Sequence, residues 1–144
     1  MSRMLVLFAA AALVGLTQAA AAQQPMAAGI TLTDVAGVWD SKTMVGPKDS
    51  VIVTTVLTAT ADGKGWTMAF PNRAQAVAVS VVFVGGDSIV TEAGPFPSYL
   101  RPGQTVTLLH TVAHYKGDQM WGTSAVTYAS GDKLSLKIAA TRRK

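Results

Sequence analysis

Cysteine is absent from this chain of 144 residues, which also contains a single glutamate and two histidines. The lack of cysteine excludes disulfides, thiol catalysis, thiolate metal sites and a lipid attached to an N-terminal cysteine. No metal cluster, phosphate loop or catalytic motif stands out, so we predict neither a metal nor a cofactor. Core packing and sheet hydrogen bonds must therefore stabilise the fold, and about 120 residues are enough for such a core.

Aromatic and charged residues are also scarce, at 7% and 14% of the chain. A membrane-spanning β-barrel carries girdles of aromatic side chains at both interfaces, so this composition disfavours that class. The basic residues are scattered, apart from Arg142, Arg143 and Lys144 at the end. They are too few and too dispersed for a nucleic-acid footprint. We therefore predict no nucleic-acid partner, and the oligomeric state stays open.

The first two dozen residues differ in character from the rest. Arg3 precedes an apolar run of about thirteen residues that ends at Leu16, and small residues follow up to Ala22. This is the pattern of a secretory signal peptide, and the run is shorter than the roughly 20 residues that span a bilayer. The alternative is a buried N-terminal helix, for which the remaining chain offers no matching helical face. We predict a signal peptide over 1–22, a flexible lead-in over 23–32 and a single domain over 33–144.

Long amphipathic helices are missing too, and alternating or β-branched runs take their place. The predicted strands are 39–44, 51–61, 66–70, 76–84, 88–92, 105–115, 120–129 and 134–141. One helical turn over 31–36, capped by Thr33 or Asp34, precedes them. The turns between strands are mostly short and contain Gly and Asp, which favours an up-and-down meander. We predict an all-β fold, an eight-stranded antiparallel up-and-down barrel that is either filled by side chains or holds one small ligand.

Two short stretches mark the ends of this predicted barrel: Gly37 and Trp39 open the first strand, and Arg142 and Arg143 end the last. A Gly-x-Trp strand in an exported eight-stranded meander resembles the calycin superfamily of lipocalins, fatty-acid-binding proteins and avidins. The resemblance implies that Trp39 closes one barrel end with Arg142 or Arg143 packed across its indole. A ligand site then lies at the opposite end. The chain departs from lipocalins in ending with the last strand, and from avidins in lacking their several biotin-site tryptophans.

Apolar side chains that could line a pocket share a face of the third and fourth strands. They are Trp66, Met68, Phe70 and Phe83. They suit simple core equally well. Three prolines between residues 94 and 103 exclude helix and central strand there. In this loop Tyr99 and Arg101 suit an anionic or sugar-like ligand, while the alternative is a loop stapled to the barrel by Phe96 and Tyr99.

The two histidines, His110 and His114, fall on the same predicted strand face as Val106. Four strand residues span roughly 13 Å, so they cannot share one metal without other strands. They are either two hydrogen-bonded histidines, one of them near a rim, or the polar end of a ligand cavity, or a general base. Glu92 is either a solvated strand-end carboxylate or a catalytic partner of His110. Asp40 is placed to pair with the terminal arginines.

Three functional hypotheses follow from these patterns. The first is an exported, lipocalin-like binding protein for a small apolar or amphipathic ligand, in the periplasm or secreted from a bacterium. The second is a small envelope hydrolase or isomerase that uses His110, His114 and Glu92. The third is a structural or interaction protein of the envelope that presents Val82 and Val84 as a contact. Whether the chain is an enzyme stays open, and binding is favoured.

Overall fold

The computed structural model describes residues 29–144, which form a closed, eight-stranded antiparallel barrel and one helical turn. The predicted all-β class and barrel architecture are confirmed. The predicted signal peptide, and the lead-in up to residue 28, lie outside the described residues. The helix α1 is Leu32–Val35, and the strands are β1 Gly37–Val45, β2 Ser50–Ala59, β3 Trp66–Ala69, β4 Val77–Gly85, β5 Ser88–Ala93, β6 Phe96–Pro97, β7 Thr105–Lys116, β8 Gln119–Tyr128 and β9 Lys133–Arg142.

Each strand of the ring pairs antiparallel with its neighbours, and two pairings close the ring. β1 pairs with β9, with Trp39 opposite Arg142, and β5 pairs directly with β7. The two-residue strand β6 pairs with β7 alone and stays outside the ring. The sequence did not predict β6, because Pro97 cannot donate a ladder hydrogen bond and the surrounding prolines indicated irregular backbone. A proline is compatible with such an edge position.

The helical turn before the barrel is capped by Thr31, not by Thr33 or Asp34 as predicted. The Asp34 carboxylate accepts hydrogen bonds from the Thr31 backbone N–H at 2.7 Å and from its hydroxyl at 3.0 Å. The backbone bond is the part of a capping box in which the third helical residue reaches back to the cap. Ile30 just before it donates its N–H to the Gly86 carbonyl at 2.8 Å. The described end of the predicted lead-in is therefore bonded to the barrel.

Three β-bulges interrupt the alternation of inward and outward side chains. The first lies in the pairing of β1 with β2, at Thr43 and Met44. The second lies between Val81 and Phe83 on β4, and the third between Val106 and Leu108 on β7. A bulge adds one unpaired residue to a strand, so the faces exchange beyond it. On β7, Val106 is buried whereas Leu108 is 37% exposed. The prediction that Val106, His110 and His114 share one face is therefore wrong.

One end of the barrel, which we call the base, is closed around Trp39. Its side chain is fully buried, and its indole N–H donates to the Val35 carbonyl at 2.9 Å. The Arg142 guanidinium lies 4.4 Å from the centre of the indole ring. Arg142 is thus the basic residue that packs across the indole, in the position that the calycin resemblance implies. Arg143 instead pairs with Asp40 on the outer wall, as predicted for that carboxylate.

Candidate ligand cavity

The barrel encloses a cavity of about 110 Å³ at the end away from Trp39. Its walls combine aliphatic side chains with four aromatic ones and a set of hydroxyls. The aromatic residues are Phe70, Phe96, Tyr99 and Tyr128, and the hydroxyl residues apart from the tyrosines are Ser41, Thr43, Thr55, Thr91, Ser98, Thr111 and Ser124. The aliphatic part comes from inward positions of the strands, including Leu57, Met68, Leu109, Val126 and Leu136. The interior is therefore hollow at one end and filled at the base.

The volume sets the size of a possible occupant. Pockets for drug-sized ligands usually measure about 300–1,000 Å³, whereas an apolar cavity of about 150 Å³ holds benzene. A cavity of about 110 Å³ is therefore suited to a compact molecule no larger than about one ring. It is too small for a long acyl chain in the described conformation.

The cavity wall carries no formal charge. Among the lining residues in the described part of the chain there is no Asp, Glu, Lys, Arg or His. A buried ion without a partner is costly, because it loses its hydration and gains no compensating contact. The site therefore favours neutral molecules over anions or cations.

Three hydroxyls on the wall have hydrogen-bond partners within the protein. Thr111 and Ser124 lie opposite each other on β7 and β8 and share a hydrogen bond of 2.7 Å between their Oγ atoms. The Ser98 Oγ accepts a hydrogen bond from the Arg101 backbone N–H at 2.9 Å. These bonds satisfy the groups, which makes this part of the wall less available to a ligand.

Residues 94–103, which we call the roof loop, lie over the mouth of the cavity. The Arg73 guanidinium donates to the Pro97 carbonyl at 2.6 Å and to the Ser98 carbonyl at 2.9 Å. The rings of Phe70 and Tyr99 stack with their centres 5.5 Å apart. The loop leaves β5 through Gly94, where φ is +133° and an added Cβ would lie 2.5 Å from a backbone oxygen. These contacts hold the roof loop against the barrel, and the loop also forms part of the cavity wall.

The structure separates the predicted pocket residues into two groups. Met68, Phe70 and Tyr99 line the cavity. Trp66 is buried in the core away from it, and its indole N–H donates to the Thr60 carbonyl at 2.9 Å. Phe83 does not line the pocket, because the bulge in β4 turns it outward, where it is 55% exposed.

Arg101 does not line the cavity, so Tyr99 and Arg101, predicted to suit an anionic or sugar-like ligand, do not come together on its wall. Its guanidinium lies 4.6 Å from the centre of the Tyr128 ring and 3.5 Å from the Asp132 carboxylate. The positive charge is thus held by Tyr128 and Asp132 and is not among the groups lining the cavity.

The histidines and Glu92 lie on the outer wall of the barrel. His110 Nδ1 is 3.1 Å from Glu92 Oε1, so these two residues do come together, with about two-fifths of each side chain exposed. The inward neighbours Leu109 and Thr111 show that His110 points away from the cavity. The proposed arrangement of His110, His114 and Glu92 around a cavity mouth is therefore not formed.

His114 has its own polar partners at the Asp87–Ser88 turn. Its Nδ1 lies 3.2 Å from Ser88 Oγ and 3.3 Å from Asp87 Oδ1. A Ser-His-Asp relay needs the serine and the aspartate on different ring nitrogens, whereas here both approach the same one. The pKa of Asp87 is held below its ordinary value, mainly by the hydrogen bond from Ser88 and to a smaller extent by the one from His114. This group is an exposed hydrogen-bonded turn.

Comparison with known proteins adds no family to this description. No protein-family model, curated protein or solved structure matches the chain significantly. Within residues 29–144, no helix is long and apolar enough to cross a bilayer, and no three His, Cys, Asp or Glu residues are grouped to hold a metal. The likeness to calycins therefore consists of the closed barrel and its base.

Sequence reasoning did not single out Tyr128, Ser98 or the Thr111–Ser124 pair. The alternation over β8 was a usable signal, because it places Ser124, Val126 and Tyr128 on one face together with Met120. The position of Ser98 within the roof loop had no comparable signal, since an irregular loop has no periodicity from which a facing direction can be read.

Proposed function

We propose that this chain is an exported binding protein that holds a small, largely apolar ligand inside its barrel. The observation that carries the proposal is the uncharged cavity of about 110 Å³ at the roofed end. Protein interiors are normally packed with few voids larger than a water molecule, so a cavity of this size beneath a stapled loop supports a binding role. The filled base leaves the mouth as the end through which a ligand would enter.

Export is the second part of the proposal, and it is supported by the sequence alone. Residues 1–22 have the charged start, apolar run and small-residue end of a signal peptide, which is typical of a bacterial periplasmic or secreted protein. The absence of cysteine is compatible with that compartment, because the barrel is closed by strand pairing and needs no disulfide.

No specific observation supports either of the two alternative roles. The hydrolase or isomerase would have to work on an open wall, because Glu92, His110 and His114 all lie outside the cavity. Of the two residues expected to form an envelope contact, Val82 is exposed but Val84 packs against the core. The contact hypothesis stays a prediction for Val82 alone.

A cavity-filling variant tests the binding proposal. Val126 is buried on the cavity wall, so Val126→Phe would place about one ring of extra volume where the ligand sits. Benzene is a suitable first probe, and its binding is followed by ligand-observed NMR. Wild-type protein should bind benzene, and Val126→Phe should not.

The matched control is Val112→Phe, which makes the same change on the outer face of β7. Val112 lies between Thr111 and Ala113, which face inward, so its side chain is outside the cavity. This variant should bind benzene as wild type does. If wild type binds no compact probe, and native mass spectrometry of protein from its own cells shows no bound molecule, the proposal is wrong.

A further inference from the structure

Tyr128 carries a polar atom that the protein itself leaves unsatisfied. The residue is 2% exposed, it lines the cavity, and its Oη has no hydrogen-bond partner among the residues that the structure describes. Buried tyrosine hydroxyls usually find a partner, because an unpaired one loses its hydration without compensation. An orphaned hydroxyl on a residue that lines the cavity is therefore a candidate contact for whatever the cavity holds.

The ring of Tyr128 is covered on one face, and the backbone of this residue is held by hydrogen bonds. The Arg101 guanidinium lies over it at 4.6 Å, and Asp132 holds that guanidinium at 3.5 Å. The backbone N–H of Tyr128 donates to the Asp132 carbonyl at 2.9 Å, and its carbonyl accepts from Gly131 at 2.9 Å. A contact group held in place this way binds without the entropy cost of ordering it.

Three other hydroxyls on the cavity wall are already engaged. Thr111 and Ser124 bond each other, and Ser98 accepts the Arg101 backbone N–H. Among the described residues Tyr128 Oη is the buried side-chain polar atom that has no partner, so a ligand can satisfy it without breaking an existing bond.

We propose that Tyr128 Oη is the hydrogen-bonding contact for the ligand, and that the ligand is a neutral molecule of about one ring bearing a hydroxyl or carbonyl group. This inference rests on the proposed binding function. Neutrality follows from the uncharged wall and size from the volume of about 110 Å³. The polar group follows from the unpaired Tyr128 Oη.

Three probes of similar size separate these features: benzene, phenol and benzoate. Their dissociation constants for the wild-type chain are measured by NMR titration at pH 7, where phenol is neutral and benzoate is charged. One hydrogen bond contributes about 0.5–1.5 kcal/mol, which corresponds to roughly two- to tenfold in affinity. Phenol should therefore bind about two- to tenfold more tightly than benzene, and benzoate should bind more weakly than both.

Tyr128→Phe removes the hydroxyl and keeps the ring. In this variant phenol should lose its advantage, while benzene binds as tightly as to wild type or more tightly. The matched control is Tyr115→Phe at the base, where Tyr115 Oη accepts from Arg142 Nη2 at 3.2 Å. It makes the same change far from the cavity and should leave the phenol preference intact.

The outcomes keep the two proposals apart. If no probe binds wild type, the binding function itself fails. If benzene binds but phenol has no advantage, or keeps its advantage in Tyr128→Phe, the assignment of Tyr128 is overturned while the cavity remains a binding site. If benzoate binds as tightly as phenol, the ligand class is wrong.

Discussion

Arg142 connects three parts of the base. Its guanidinium lies over Trp39, donates to the Ala36 carbonyl and to the Asp34 carbonyl at 2.6 Å, and bonds Asp118 through Nε at 3.1 Å. An arginine can do this because it has five donors on a flat group that also stacks on aromatic rings. The side chain therefore ties the helical turn to the last strand and covers the tryptophan.

Replacing Arg142 by Gln should lower the free energy of unfolding by about 2–3 kcal/mol, because a cation–π contact and hydrogen bonds to backbone carbonyls are lost together. Urea denaturation measures the change. Arg143→Gln is the control, since Arg143 makes an exposed ion pair with Asp40 and such pairs contribute little. Equal losses in the two variants would contradict the role assigned to Arg142.

The Asp40–Arg143 pair gives a prediction about pH. Hydrogen bonding from Arg143 holds the pKa of Asp40 below its ordinary value of 3.8. A carboxyl whose pKa is lowered by folding contributes stability above pH 3.8, and this contribution is lost as the pH falls through the lower folded value. In Arg143→Gln the pKa of Asp40 should therefore rise toward 3.8, and the pair's share of acid sensitivity should disappear.

Carboxyl ¹³C shifts followed by NMR titration check this prediction. Asp62 is an internal control, because its pKa is lowered mainly by the Lys64 backbone N–H, which the substitution leaves in place. A shift of Asp62 together with Asp40 would indicate a general change in the protein rather than loss of one contact.

Individual residues were predictable from sequence where local pattern fixes their direction. Leu136 and Ala140 of β9 are buried, as the alternation of that strand predicts, whereas the meeting of Trp39 with Arg142 or Arg143 was implied by the calycin resemblance. The direction of His110 could not, because it depends on one unpaired residue between Val106 and Leu108. Nothing in that run distinguishes a bulge from regular alternation, and a single inserted residue moves every later side chain to the other face.

At the scale of elements, the bulges decide which face of each strand lines the cavity. In β4 the pairing passes from Val81 opposite Thr91 to Phe83 opposite Val90, which leaves Val82 unpaired. The strand bends there, and Val84 returns to the core. The bulge in β7 likewise places Leu109 and Thr111 on the cavity wall.

Deletion of Val82 should leave the barrel folded, because the partners on either side of the bulge can keep their register. Deletion of Ala139 is the control. β9 pairs with both neighbours without a register shift, so this deletion must move inward side chains to the outer face. Backbone NMR spectra should show a folded protein for the first variant and an unfolded one for the second. Complete unfolding of the Val82 deletion would show that the bulge itself is required.

At the scale of the whole molecule, strand count and closure could be predicted, whereas the cavity could not. Alternation and short turns give eight strands, and eight strands form a ring. The free volume inside depends on the sum of many inward side chains and on where the roof loop rests. Phe96, Ser98 and Leu100 reach the cavity from a loop whose path the sequence pattern does not define.

A ligand that binds only the folded barrel should stabilise it as a unit. At a concentration of 100 times its dissociation constant, such a ligand raises the free energy of unfolding by about 2.7 kcal/mol. In urea denaturation, phenol should raise the free energy of unfolding of the wild type by this amount. It should leave that of Val126→Phe unchanged, because the cavity of this variant is filled. An equal increase in both would place the bound probe outside the barrel.

The pairing at the base has a consequence for how the protein is attached to anything else. Ile30 bonds Gly86 at 2.8 Å, and Arg143 bonds the Val38 carbonyl at 2.7 Å, so both ends of the described chain leave from the closed side. A fusion partner, a purification tag or a sensor surface joined at either of these ends would lie next to the base. The roof loop would then face outward into solution, and an immobilised barrel would present its mouth to any analyte.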